Sequence, residues 1–265
     1  MEKRNYNIDA DILLPLTAGN PRLIYELGSE LQEMSRGETV NQAFIKQHNE
    51  PIALILERYQ QDLLKNIPEE LYPYLCAIIP LRAYRMEALR FMLNEASKED
   101  AYQEWTDGDY LRILRNLDQT EIVWWNRDRR AYTTDYIARR IINQRQLLAD
   151  PEVFIQWHQR AVSLYLQWAA EYPTTSEDFI LEAWFHLANI WQAKPQDDTI
   201  IQQFSETLDI AKQLTTDRKL VIQEQLDPHD KDTEYDNELY DLLPGDWQRQ
   251  ARTIWTEMIK QPVIN

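Results

Sequence analysis

The sequence predicts an all-α protein that carries one small β-hairpin. Three observations predict it. Glycine is scarce, with five in 265 residues, while tryptophan and tyrosine are abundant at 9 and 14. Long apolar side chains with few glycines favour helices over a turn-rich β fold. Apolar residues recur at helical spacing through most of the chain, whereas β-prone runs are short and confined to residues 121–134. With 44% hydrophobic residues the chain has enough apolar material for a real core.

The organisation has three parts: a helical lid (1–66), a winged-helix-like segment (67–148) and a helical-repeat-like segment (149–265). In the lid, Asn20 is a good N-cap and Pro21 a good first helical residue. Leu23, Ile24, Leu27, Leu31 and Met34 follow at helical spacing, and Gly37 ends the run. Thr39-Val-Asn-Gln42 has the capping-box pattern for the next helix. Pro51 restarts or kinks that helix, whose apolar stripe is Ile52, Ile55, Tyr59 and Leu63.

The second part reads helix, helix, helix, hairpin. Its first helix begins at Ile67-Pro68-Glu-Glu70. The next two carry Met86, Leu89, Met92 and Leu93, then Tyr110, Ile113, Leu114 and Leu117. Glu121-Ile-Val-Trp-Trp125 and Ala131-Tyr-Thr-Thr134 flank the polar turn Asn126-Arg-Asp-Arg-Arg130. A helix from Asp135 to Leu148 follows. Three helices closed by a hairpin is the winged-helix pattern.

In the third part Asp150-Pro151 starts a helix bearing Phe154, Trp157, Ala161, Leu164, Tyr165 and Trp168. Thr174 to Glu177 offers another capping box. Ile180, Ala183, Trp184, Leu187, Ala188 and Trp191 repeat the pattern, which predicts an antiparallel helical hairpin. Further stripes are Ile201, Phe204, Leu208 and Ala211, then Trp247, Ala251, Ile254, Trp255 and Met258. The tail resembles TPR-like stacked hairpins without a clean repeat. The acidic run 227–241 reads as a solvated loop.

The net charge of −16 disfavours generic nucleic-acid binding. One cysteine, Cys76, allows no internal disulfide. No signal peptide and no apolar stretch near 18 residues is seen, so the expectation is a cytoplasmic protein with no membrane partner.

The segment Thr17-Ala-Gly-Asn-Pro-Arg-Leu-Ile-Tyr-Glu-Leu-Gly28 resembles the lid motif of signal-transduction P-loop ATPases, the STAND and related AAA-like groups. There a Gly-Asn-Pro turn opens the first helix behind the nucleotide. The resemblance extends over about residues 10 to 190, including the hairpin region where Tyr132-x-x-Asp135 precedes the basic stretch Ala138-Arg-Arg-Ile-Ile142. It implies that Asn20, Pro21 and Arg22 form a nucleotide-facing edge, with Pro21 on adenine and Arg22 sensing phosphate. A helix N-terminus suits phosphate independently of the family. The bland alternative is an ordinary capped helix.

The resemblance also implies a regulatory and sensor fragment that works through protein–protein contacts. ADP locks lid and winged helix onto an ATPase core supplied in cis or in trans. ATP exchange releases them, and the helical tail receives a signal from a protein partner. No Gly-x-x-x-x-Gly-Lys-[Ser/Thr] occurs in the chain. Catalysis by this chain is therefore not expected, and ATP or ADP belongs to the parent protein. Two alternatives stand beside this: a free-standing helical adaptor, and a winged-helix transcription regulator.

Other candidates carry less. Arg127, Arg129 and Arg130 in the hairpin turn are candidate nucleic-acid contacts. Against that, Trp124 or Trp125 is expected to pack the core while the arginines pair with acidic neighbours. His158 and His186 fall on adjacent helices, where buried, hydrogen-bonded imidazoles are expected rather than a zinc site. Asp230 to Asp236 alternates acidic residues without the central glycine of a calcium loop. The Trp-rich helices 154–191 read as core packing, with an exposed aromatic groove as the alternative.

Overall fold

The computed structural model describes residues 8, 10–96, 102, 104–195, 197–225, 238–239 and 241–251. It is mostly helical with one two-stranded antiparallel sheet. The chain divides into two compact units, Met1–Phe154 and Ile155–Asn265.

The first unit opens with α1 (Ala10–Thr17) and α2 (Pro21–Ser35). Asn20 caps α2 with its side chain, and Pro21 occupies the first turn, where no N–H is needed. Leu23, Leu27 and Leu31 are fully buried on one stripe. The helix ends on Arg36 in the left-handed region, followed by Gly37 at φ +94°.

The next helix is capped by Asn41, not Thr39. Val40 is fully buried and bridges Ile8, which keeps the backbone extended there. The helix α3 (Gln42–Gln47) then starts after it, with Asn41 Oδ1 accepting from Phe44 N–H at 3.0 Å. Helix α4 (Asn49–Leu64) restarts just before Pro51 and buries Ile52, Ile55, Leu56 and Tyr59 against the α2 stripe.

A 3₁₀ turn (Glu69–Leu71) leads into α5 (Tyr72–Ile78), then α6 (Met86–Ala96) and α7 (Asp107–Asp118). Helix α7 starts with a reciprocal capping box between Thr106 and Asp109. These bonds hold the Asp109 carboxyl below the usual carboxylate range. Tyr110, Ile113, Leu114 and Leu117 are all buried. Strands β1 (Val123–Asn126) and β2 (Ala131–Thr134) pair Val123 with Thr134 and Trp125 with Tyr132.

A third backbone segment joins this sheet. Tyr84 and Tyr132 exchange both N–H···O bonds, at 2.9 and 2.8 Å, so the stretch before α6 lies along β2. The Tyr84 hydroxyl is 2.9 Å from Thr134 Oγ1 in a buried site, and burial pushes that phenol well above its ordinary pKa. Helix α8 (Tyr136–Ala149), capped by Asp135, completes the unit. It packs on α4 and α1, and Ile141 lies within the core of the first helices.

The second unit holds most of α9 (Pro151–Glu171), then α10 (Ser176–Ala193), α11 (Asp198–Lys212) and α12 (Thr216–Gln225). Trp184 is fully buried, and its indole N–H donates to Thr207 Oγ1 at 2.6 Å. That bond sets the roll of α11. Its buried stripe is Ile200, Phe204, Thr207, Leu208 and Ala211, while Ile201, expected inside, is exposed.

The expected capping box at Thr174 is absent. Helix α10 begins at Ser176, and Glu177 pairs with Arg218 at 3.7 Å instead of reaching back. The run 227–241, expected as a solvated loop, lies largely outside the described residues. Of its described positions Glu238 and Leu239 are buried, Leu239 in the core with Leu243 and Trp247, and Asp241 is exposed. An apolar Leu within an acidic stretch still seeks that core. The expected continuation through Ile254, Trp255 and Met258 lies outside the described residues.

Candidate functional site

The turn before α2 is built by backbone conformation first. Thr17 is buried and its hydroxyl donates to the Leu13 carbonyl at 2.7 Å. Ala18 and Gly19 both adopt left-handed conformations, at φ +51° and +72°. Glycine takes this without the Cβ penalty. The Asn20 N–H then donates back to the Thr17 carbonyl at 2.9 Å.

Asn20 is shared between two helices. Its Oδ1 accepts from Leu23 N–H at 3.0 Å and from the Tyr59 hydroxyl of α4, also at 3.0 Å. Both lone pairs of that oxygen are thereby used. Pro21 is exposed beside it. Arg22 is exposed as well, but its Nε donates to Glu26 at 2.7 Å and its Nη2 lies 3.5 Å from Asp62. Its guanidinium stands 5.7 Å from the centre of the Tyr59 ring. The hydrogen bond to Glu26 raises the Arg22 pKa above its ordinary value. Burial raises that of Tyr59, against the opposing charge of Arg22.

Two of the three residues at this edge thus have structural tasks. Asn20 holds α2 to α4. Arg22 is paired with two carboxylates. Pro21 alone presents an unengaged apolar face. An open groove of about 590 Å³ lies elsewhere, at the far half of α2 against α4, and is lined by Glu30, Met34, Pro51, Leu54, Ile55 and Arg58.

The hairpin tip is the second place of interest. Asn126 Oδ1 accepts from the N–H groups of Asp128 and Arg129, which folds the turn. Arg130 sits at φ +48°, and its carbonyl accepts from Arg85 Nε at 2.8 Å. Arg127 and Arg130 are exposed, and Arg129 is half-buried. Trp124 and Trp125, one of which was expected in the core, are both exposed, at 41% and 45%. Val123 takes the core-facing position of β1. Trp125 rests edge-on against Tyr132, 5.1 Å between ring centres.

His158 and His186 lie in the second unit and are fully buried, with Nδ1 atoms 2.9 Å apart. His186 stacks on Tyr165 at 5.5 Å. Among the described residues no group of three or more His, Cys, Asp or Glu side chains is placed to hold a metal ion. The tryptophans of α9 and α10 are buried or half-buried, so no exposed aromatic groove runs along them.

No known family matches. Neither a protein-family model, a curated protein nor a solved structure resembles the chain significantly. Among the described residues no helix is long and apolar enough to cross a membrane.

Sequence reasoning missed Tyr59 and Asp62 as partners of the turn, and Tyr84 and Arg85 as partners of the hairpin. The Tyr59 position was legible only as part of an apolar stripe. Its hydroxyl gives no spacing signal across 39 residues.

Proposed function

We propose that this chain is the regulatory part of a nucleotide-dependent signalling ATPase of the STAND type, with a lid, a winged-helix clamp and a helical sensor tail. The observation that carries the reading is the Gly19-Asn20-Pro21 turn. It leaves Pro21 exposed at the first position of α2 while Asn20 ties that helix end to α4. A rigid helix terminus with an apolar proline face suits one edge of a purine site, and the positive end of the helix dipole suits phosphate.

Element order supports the clamp. Helix α5, the Tyr84 bridge, α6, α7 and the β1–β2 hairpin follow the order of a winged helix, with the bridge in the place of its first strand. The antiparallel pair α9 and α10 supports a helical sensor tail. A protein contact is favoured over duplex reading, because α7 carries Asp107, Asp109 and Asp118, and its Arg112 is paired with Asp109 at 3.3 Å.

In this mechanism nucleotide shifts a two-state equilibrium only through differential affinity. Arg22 exchanges Glu26 and Asp62 for phosphate when the core closes. The isolated chain binds ATP and ADP weakly or not at all, since one helix terminus and one proline do not enclose a ligand. Sequencing the native gene upstream of Met1 tests the reading. A continuous frame encoding a P-loop and an acidic Mg-binding strand supports it. An in-frame stop with a ribosome site overturns a core supplied in cis, takes most of the force from the lid reading and favours the adaptor.

A further inference from the structure

We propose that the β1–β2 hairpin tip is a docking element for an acidic polypeptide segment that also carries apolar side chains. The tip departs from the rest of the chain in two respects. The whole protein carries −16, yet the turn holds Arg127, Arg129 and Arg130 against the single carboxylate of Asp128. Arg85 adds a fourth guanidinium, fixed to the turn by its bond to the Arg130 carbonyl. Among the described residues no carboxylate forms an ion pair with Arg127 or Arg130.

The second departure is aromatic. Trp124 and Trp125 are exposed, and adjacent strand residues point to opposite faces. The hairpin therefore projects with an indole on each side and cations at its end. They are the only tryptophans in the described part of the chain that are classed as exposed. Tryptophan, tyrosine and arginine are the residues that dominate protein-binding hot spots, and the indoles supply apolar area at low entropy cost.

The sign of the partner follows from charge complementarity. Its class follows from what surrounds the tip. Asp118 accepts from Trp125 N–H at 3.0 Å, and Glu121 precedes the strand, so carboxylates stand at the hairpin's base. A nucleic-acid backbone brings phosphates continuously past the carboxylates of that base. A polypeptide places its charge at the tip alone and its apolar side chains on the indoles. This surface requires no nucleotide, so it goes beyond the regulatory reading and stands without it.

The test uses the full chain and three probes: a synthetic peptide of alternating Asp, Leu, Glu and Phe, the same peptide with lysine at every acidic position, and a single-stranded DNA oligonucleotide. Binding is read by fluorescence anisotropy of labelled probes at two salt concentrations. The acidic peptide binds, more weakly at high salt, and any attraction of the lysine peptide to this protein of charge −16 is not weakened by the tip substitutions. The variants Arg127→Glu/Arg130→Glu and Trp124→Ala each weaken it by about ten-fold or more. All three substituted positions are exposed, and an unchanged thermal unfolding curve shows that each variant is folded. No binding of the acidic peptide, equal binding by the variants, or tighter binding of the DNA overturns the proposal. None of these results bears on the gene upstream of Met1, so the regulatory reading fails or stands separately.

Discussion

Replacing Asn20 by alanine removes two hydrogen bonds at one atom. The first is the cap to Leu23 N–H, and losing such a cap costs about 1 kcal/mol. The second comes from the Tyr59 hydroxyl, and leaving that group without its acceptor costs about another 1 kcal/mol. Asn20→Ala should therefore lower local stability by about 2 kcal/mol. Tyr59→Phe removes only the second bond and should cost about 1 kcal/mol. The double variant should cost no more than Asn20→Ala, a shortfall from additivity of about 1 kcal/mol. Because the chain has two units, one global melting curve mixes them. Hydrogen exchange resolved to peptides of α2 and α4 reads the right region. A loss of about 2 kcal/mol speeds exchange in α2 about 30-fold. Single costs that simply add would refute the shared oxygen, and an Asn20→Ala chain with unchanged α2 protection would refute the cap.

Thr207→Val keeps the shape but removes the acceptor of the Trp184 indole. It should cost about 1–3 kcal/mol in the second unit, with a shift in tryptophan fluorescence that Thr199→Val does not produce. Gly19→Ala meets no atom within 4 Å but must hold φ +72°, so urea unfolding should show a loss of about 1 kcal/mol from backbone strain alone. Acid should loosen the start of α7. The bonds from Thr106 hold the Asp109 carboxyl below its ordinary value, so their stabilisation is present above about pH 4 and is lost as pH falls through the lowered value. Loss of exchange protection in the first turn of α7 at low pH is the expected pattern, and a first turn indifferent to pH would count against it.

Much of the helical framework was legible because its signals are local. The start of α2 follows from Asn20 and Pro21, and the start of α9 from Asp150, whose Oδ1 accepts from Val153 N–H at 3.1 Å. The stripe Leu23, Leu27 and Leu31 appears in the sequence as it does in the core. Failures arose where a distant partner decided. Thr39 lost its cap role because Val40 is drawn inward. Ile201 lost its buried place because the Trp184 indole pulled Thr207 in. Helix α1, which carries Pro15, was not read from the sequence. The site residues at 20–22 were legible as a motif, and their engagement with Tyr59, Glu26 and Asp62 was not. Exposure of Trp124 and Trp125 ran against the usual burial of indoles, and alternation along β1 does not say which of its positions the helices cover.

Helix α8 has a consequence for synthesis of the chain. It is made after the hairpin, yet it covers α4 and places Ile141 among the first helices. The opening helices therefore leave the ribosome with the side of α4 that α8 covers still open, and must wait for residues up to Ala149. At about 5–20 residues per second that wait lasts roughly 4–17 s for the stretch after Leu64. During it an apolar helical face is open to chaperones or to aggregation. A gene fragment cut at residue 66, the end of the lid as read from the sequence, would keep that face open permanently. The shortest piece of the first unit worth expressing runs through α8.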